Sequence, residues 1–215
     1  MNIKYFLAAL CAAAIFVSCS DKEKTESLFN GEDLTGWKAV LKSAEGETFE
    51  GETFFVQDSV LHVTGKPFGY LRTEKKYSDY RLHLEWRWAG AEAVDGGVFN
   101  RLQDGDKVWP LGVQLQMTPK DMGVLMGGIK LEGIEGPFYK KDRIVAESPE
   151  KPLGQWNEME FLCEGGSIKV WLNGVLVNEA VCDALDGYIA IQSEGGPMDF
   201  RNIFLYSNLT LQTDR

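Results

Sequence analysis

Histidine is nearly missing from this 215-residue chain: His62 and His83 are the only two. An HExxH zinc helix therefore cannot be written, and neither a cysteine-rich metal set nor a Gly-x-Ser-x-Gly nucleophile elbow is present. Glycine-rich phosphate loops are missing too, which speaks against nucleotide chemistry. No long stretch keeps a 3.6-residue apolar period without a Gly or Pro breaking it, so the pattern favours strands over helices. Basic residues are also short: 22 Lys and Arg stand against 32 Asp and Glu. Such a surface repels phosphate backbones, and no basic cluster with interleaved aromatics relieves it, so nucleic acid is not an expected partner.

One apolar run is present, at the start, "MNIKYFLAALCAAAI". Lys4 followed by roughly a dozen apolar residues has the layout of a secretory signal, and the run is too short to span a bilayer stably. Cys19 follows Val17 and Ser18 in an arrangement that resembles the lipobox of bacterial lipoproteins. On that reading residues 1–18 are a leader, Cys19 is the lipidated first residue of the mature chain, and 19–27 form a polar tether. Ser20, Asp21 and Glu23 resemble the acidic export tag of Bacteroidota surface lipoproteins. The expected location is the outer membrane of the cell envelope, facing the surface or the periplasm, with membrane contact through the lipid alone. An ordinary secreted protein cleaved elsewhere is the alternative. Removing residues 1–18 takes away Lys4 and leaves 21 basic against 32 acidic groups, a net charge of −11. Of the thiols, Cys163 and Cys182 belong to the body of the protein. An oxidising compartment permits a disulfide, but their spacing matches no metal template, and two buried free cysteines are the plainer expectation.

Two-residue alternation recurs along the rest of the chain. In "YRLHLEWRW" Tyr80, Leu82, Leu84, Trp86 and Trp88 share one face, and Arg81, His83, Glu85 and Arg87 the other. That is a strand with one side in a core. Asn173-Gly174, between "SIKVWL" and "VLVNEAV", predicts a type I′ hairpin because both residues tolerate positive φ. Further strands are expected in "TFFVQ", "SVLHVT", "GGVFNRL", "LGVQLQM", "WNEMEFLC", "GYIAIQS" and "FRNIFLYSNL". The stretch from Lys120 to Pro152 reads as long loops with one short strand near 128–131. About ten short strands rich in glycine and aromatics predict a single all-β sandwich over residues 28–211.

A functional face should carry polar groups where alternation would allow apolar ones. Glu85 and Arg87 qualify, as do Gln114 and Gln116, two amides on one side of a strand that can bond sugar hydroxyls or a carbonyl; a solvated sheet face accounts for any one of them equally well. "IQSEGGPMDFRNIFL" sets Glu194 in a glycine-rich turn before a strand carrying Arg201, where a carboxylate can overhang a cleft. "FNGEDLTGWK" looks like a tight loop leading into a docked tryptophan. "QDGDK", residues 103–107, reads as a turn rather than a calcium loop, because six to eight oxygen ligands are not visible locally.

"LFNGEDLTGWK", "DGGVFNRL", "KPLGQWNEMEFLCEGGSIKVWLNGVLVNEA" and "GYIAIQSEGGPMDFRNIFL" occur in an order that resembles the 3-keto-disaccharide hydrolase domain family from about Leu28 to Leu209. The resemblance implies a concanavalin A-like jelly roll of two antiparallel sheets and agrees with an envelope lipoprotein. It also implies action on glycosides carrying a ketone at carbon 3, where elimination and hydration give net hydrolysis. Such a site needs a base near C2, a donor for the enolate oxygen and an acid for the leaving group, without the paired-carboxylate geometry of ordinary glycosidases. Carried across, Arg101 matches the arginine closing an "NSGIFFR"-like strand, with Asp95-Gly96 where Asn-Ser is usual. Gln114 and Gln116 match an "E-x-Q" pair whose acid is here an amide, and Glu194 and Arg201 match "SEG" and "FRN". The resemblance thus gives the base to Glu194 or Glu85, enolate stabilisation to Arg101 or Arg87, and substrate contacts to Arg87, Gln114, Gln116 and Arg201. No cofactor is called for; a divalent cation, if one served, would have Glu85 and Glu194 as ligands. The alternative function is a carbohydrate-binding surface lipoprotein without turnover.

Overall fold

Tyr80, Leu82, Leu84, Trp86 and Trp88 point into a dry interior, none more than 4% exposed, as the two-residue period of their segment predicts. The computed structural model describes residues 25–42 and 52–206. The leader, Cys19, residues 19–24 of the expected tether and 207–211 of the expected domain lie outside the described residues.

Among the described residues the chain forms fifteen strands: β1 (Thr25–Ser27), β2 (Trp37–Leu41), β3 (Phe54–Gln57), β4 (Val60–Val63), β5 (Gly69–Thr73), β6 (Tyr80–Trp88), β7 (Gly97–Leu102), β8 (Val113–Gln116), β9 (Leu125–Gly127), β10 (Tyr139–Lys141), β11 (Asn157–Glu164), β12 (Ser167–Leu172), β13 (Val175–Val181), β14 (Tyr188–Ser193) and β15 (Met198–Tyr206). They make two antiparallel sheets. The back sheet runs β13-β12-β11-β6-β15-β4-β3, with β1 added to β15, and the front sheet runs β10-β9-β8-β7-β14-β5-β2. Between them Leu82, Leu84, Trp86, Met159, Phe161 and Phe200 of the back sheet meet Leu71, Val98, Val113, Leu115, Ile189 and Ile191 of the front sheet, all at 1% exposure or less. Each such side chain contributes roughly 1.5–3 kcal/mol by leaving water. This is the all-β, two-sheet sandwich the alternation predicts.

Local signals also hold. Asn173 and Gly174 take φ of 49° and 80°, the type I′ turn between β12 and β13. The Trp37 indole is docked, donating to the Leu28 carbonyl at 2.6 Å. Cys163 and Cys182 are buried and free, and burial pushes the Cys163 thiol up to about 11. Two expectations shift. Thr25–Ser27, expected in the tether, pairs with Phe204–Tyr206, so residues 25–27 are part of the folded sheet. The short strand expected at 128–131 forms instead at Leu125–Gly127, where it extends the front sheet from β8, while Leu131 makes an isolated bridge to Cys182.

Two β-bulges redirect side chains. In β7, Phe99 pairs with Ala190 and Leu102 with Tyr188, so Asn100 and Arg101 together face Ile189. Arg101 sits at φ 55° there. In β15, Arg201 pairs with Glu85 and Phe204 with His83, and Asn202 takes φ 52°. An extra residue in one strand re-aims its neighbours: the β7 bulge decides where Arg101 points, and the β15 bulge sets Asn202 beside Glu85.

Candidate functional site

On the outer face of the front sheet, β8 carries Gln114 and Gln116, and β14 carries Gln192 and then leads to Glu194. Strand β7 runs between β8 and β14, which sets those two strands roughly 10 Å apart. The gap is bridged because β7 offers glycine there. Gly97 pairs with Gln116 and, by continuation of the β7–β14 ladder, lies beside Gln192. A Cβ on Gly97 would sit 2.5 Å from Gln114 Nε2 and 2.9 Å from Gln192 Oε1. With none present, Gln114 Nε2 donates across the strand to Gln192 Oε1 at 2.8 Å.

That bond is the middle of a continuous belt. Gln116 Nε2 donates to Asp95 Oδ1 at 2.7 Å, Gln114 Nε2 to Gln116 Oε1 at 2.7 Å, and Gln192 Nε2 to Glu194 Oε2 at 2.8 Å. The acids at the two ends fix the direction of every amide. An ionised carboxylate only accepts, so Gln116 and Gln192 turn their NH2 groups outward along the belt and their carbonyls inward, where Gln114 spends both its hydrogens on them. What remains unpartnered among the described residues is one N–H each on Gln116 and Gln192, Gln114 Oε1 and Glu194 Oε1. The three glutamines are 2–8% exposed, so the belt is held rigidly by its own bonds.

The two ends of the belt are brought together by glycines. Gly195 takes φ 74°, and a Cβ there would meet the Asp95 backbone N at 2.9 Å. The Glu194 turn thus backs directly onto Asp95. Burial, and secondly the Asp95 charge, push Glu194 up to about 7. Burial raises Asp95 as well. A carboxyl that titrates near neutrality beside a fixed amide donor has the properties of a proton-transfer group.

The other half of this face is roofed. The β7–β8 connection, residues 103–112, crosses β14: Asp106 bonds Arg72 of β5 at 2.7 Å and Lys38 of β2 at 2.6 Å, while Asp104 takes Lys76 at 2.6 Å and the Tyr188 hydroxyl at 2.9 Å. Tyr70 donates its hydroxyl to the Lys107 carbonyl at 3.0 Å. Beneath this strap lies a second small apolar cluster of Val40, Tyr70, Phe99, Leu102 and Ala190. The aspartates of "QDGDK" are therefore clamps for cationic side chains. Arg72 and then Lys38 hold the Asp106 carboxyl down at about 2. A depressed folded value contributes stability that is present above the unfolded carboxyl value, about 3.9, and is lost as pH falls toward 2. Asp106→Asn is expected to lower the melting temperature at pH 7. Its deficit relative to the unsubstituted protein should shrink between pH 4 and pH 2, read by thermal melts across that range.

The sequence-derived residues divide between two faces. Gln114, Gln116 and Glu194 come together in the belt. Glu85, Arg87 and Arg201 lie on the outer face of the back sheet, across the full thickness of the sandwich. There Arg201 bonds Glu85 at 2.7 Å, Arg87 bonds Asp199 at 2.8–2.9 Å, and His62 Nδ1 meets Asp199 Oδ1 at 2.7 Å. Both guanidinium groups cover Trp156, at 4.6 Å for Arg87 and 4.0 Å for Arg201. Burial works against the Glu85 charge, but the bonds from Asn202 and Arg201 outweigh it and hold Glu85 below the usual carboxylate range. These are cross-strand ion pairs that stabilise a sheet face. Glu85 cannot share a substrate, or a metal ion, with Glu194.

Arg101 also departs from its expected role. The β7 bulge turns it inward, fully buried, where its guanidinium donates to the carbonyls of Tyr77, Ser78 and Leu185 and, at 2.7 Å, of Gly165. It ties four loop carbonyls together at one end of the sandwich and reaches no outer surface. Asp95 and Gln192 were missed. Gln192 stands two residues before Glu194 in a strand, and that spacing was the available signal. Asp95 occupies the position noted as departing from the family's Asn, with nothing in the sequence to tie it to Gln116.

Residues 24–206 match the family described as the 3-keto-alpha-glucoside-1,2-lyase-like domain. Among solved structures, the chain is similar to a Parabacteroides distasonis protein provisionally designated a glycosyl hydrolase, at 21% identity and a TM-score of 0.61 over 85% of this chain and 98% of that one. It is also similar to a Bacillus licheniformis β-glucanase, at 12% identity and a TM-score of 0.58 over 86% and 98% of the two chains. The carbohydrate-binding module CBM66 of Bacillus subtilis is similar at 16% identity and a TM-score of 0.53 over 79% and 94%. At these identities the likeness is one of fold, a jelly roll shared by enzymes and binding modules. No curated protein matches the sequence.

Proposed function

The chain belongs to the 3-keto-alpha-glucoside-1,2-lyase-like domain family, and on that premise we propose that the belt on its front sheet cleaves glycosides bearing a ketone at carbon 3. The observation that carries this reading is Glu194, raised to about 7 and bonded through Oε2 to Gln192 Nε2 at 2.8 Å. Glu194 Oε1 and the second Gln192 N–H are then adjacent and uncommitted. A C2 proton and a C3 carbonyl are adjacent in the substrate, so one contact serves each. Glu194 takes the C2 proton while the Gln192 N–H bonds the oxygen that becomes the enolate. The enolate electrons reform the ketone as C1=C2 forms and the C1–O bond breaks, and the leaving oxygen takes the proton from Glu194. Water then adds its hydroxyl to C1 and a proton to C2, which completes a net hydrolysis. The donor role assigned by resemblance to Arg101 or Arg87 passes to an amide, since neither guanidinium reaches this face. We also propose that the domain works in the cell envelope, tethered through a lipid on Cys19.

Purified protein should release a monosaccharide from a 3-keto-disaccharide and not from its unoxidised parent. The base must be ionised, so the rate should be low in acid, rise through about pH 7 and level off above it. Equal cleavage of both sugars would overturn the keto-glycoside reading. Saturable binding without product would replace it with a purely carbohydrate-binding role.

A further inference from the structure

The strap that roofs half of the front face also presents an aromatic side chain to solvent. Trp109 is 71% exposed, yet it is not loose. Its ring lies on Phe68 at 4.5 Å between centroids, tilted 39°, and the strap before it is pinned by the Asp104, Asp106 and Lys107 contacts described above. An indole so exposed, and backed on Phe68, keeps most of its surface available to a ligand.

Its position gives it a use. In the β14–β5 ladder Ser193 pairs with Gly69 and Gln192 with Tyr70, and the Ser193 hydroxyl donates to the Pro67 carbonyl at 3.0 Å. Continuing that register sets Phe68 beside Glu194, one strand spacing away. Trp109, stacked on Phe68, therefore stands on the order of 10 Å from the carboxyl end of the belt.

A pyranose ring has an apolar face of C–H bonds and a rim of hydroxyls, which is the shape that fits between a flat aromatic wall and a row of amides. We propose that Trp109, backed by Phe68, is the stacking wall of a hexopyranose subsite, holding one sugar ring of the substrate face-on beside Glu194. This rests on the functional reading above and adds a binding determinant to it. Trp109 binds the ring and takes no part in proton transfer.

Trp109→Ala and Trp109→Phe test it, with a 3-keto-disaccharide for turnover and the unoxidised disaccharide for binding by calorimetry. Trp109→Ala should raise KM at least tenfold with kcat within about twofold and the rise near pH 7 kept, and it should weaken disaccharide binding by a similar factor. Trp109→Phe should recover most of both, and neither change should lower the melting temperature by more than about 4 °C. Turnover with KM and binding within twofold of the unsubstituted protein in Trp109→Ala would overturn the subsite while leaving the keto-glycoside reading intact. Binding that depends on Trp109 in a protein without turnover would support the subsite and overturn the reaction. No saturable binding of either sugar by the unsubstituted protein would overturn both.

Discussion

Replacing Glu194 by glutamine is expected to stabilise the domain at pH 8 by roughly 2 kcal/mol while lowering turnover of a 3-keto-disaccharide about a thousandfold. Both effects have one cause. Burial and the Asp95 charge raise Glu194 to about 7, so ionising it in the folded protein costs free energy that ionising it in the unfolded chain does not. A folded value above the unfolded one favours the fold fully in acid and loses that advantage as pH rises through the folded value. The stability of the unsubstituted protein should accordingly decline from about pH 4.5 to about pH 7 on account of this group. The shift corresponds to about 3 kcal/mol at 1.36 kcal/mol per unit, and partial solvent screening reduces it to roughly 2. Glutamine has the same shape and can still accept from Gln192 through its carbonyl, so the belt survives while the charge and the base are lost. Thermal melts at pH 4 and pH 8 separate the outcomes: the variant should match the unsubstituted protein at pH 4 and exceed it at pH 8. A variant less stable at both values would mean that Glu194 is held by the fold for structural reasons. The pairing of gained stability with lost activity is the mark of a residue kept for chemistry.

Gly97→Ala is expected to cut kcat/KM about a hundredfold and cost about 1–3 kcal/mol. One methyl group placed 2.5 Å from Gln114 Nε2, 2.9 Å from Gln114 Cγ and 2.9 Å from Gln192 Oε1 cannot coexist with a bond between those amides. Gly97 is not among the positive-φ residues, so backbone strain is not the issue; the side chains are. Gln114 and Gln116 would be pushed apart from Gln192 and Glu194, and the belt would become two fragments. Adding Gln114→Ala to Gly97→Ala makes room for the methyl group. The double variant should regain most of the stability, measured by denaturant unfolding, but not the activity. Recovery of activity with stability would show that the connection between β8 and β14 is dispensable.

The layers were legible because burial of one strand face leaves a two-residue period, as at Tyr80–Trp88, and because Asn173-Gly174 dictates its own turn. Alternation says which side chains share a face of one strand, but it does not say which sheet the strand enters. Glu85 and Arg87 therefore looked equivalent to Gln114 and Gln116, and only the strand order sends them to opposite outer surfaces. Arg101 was misread for a different reason: its bulge, with φ of 55°, inverts the direction that its place in the strand implies. Asp95 became visible only when the loop before β7 met the turn after β14. Its partnership with Gln114 through Gln116 gives the two departures from the family pattern a common setting. Asp95 and Gln114, the two positions where the sequence departs from the pattern it resembles, thus lie within one hydrogen-bonded belt.

The central claim is that Glu194 removes the proton from C2 of a 3-keto sugar. Turning over a 3-keto-disaccharide in D2O and examining the released keto sugar by NMR, at times short enough to precede uncatalysed exchange, tests this directly. The account predicts one deuterium at C2, appearing in step with glycosidic cleavage and abolished with it in Glu194→Gln. Cleavage that leaves the original hydrogen at C2 would contradict it.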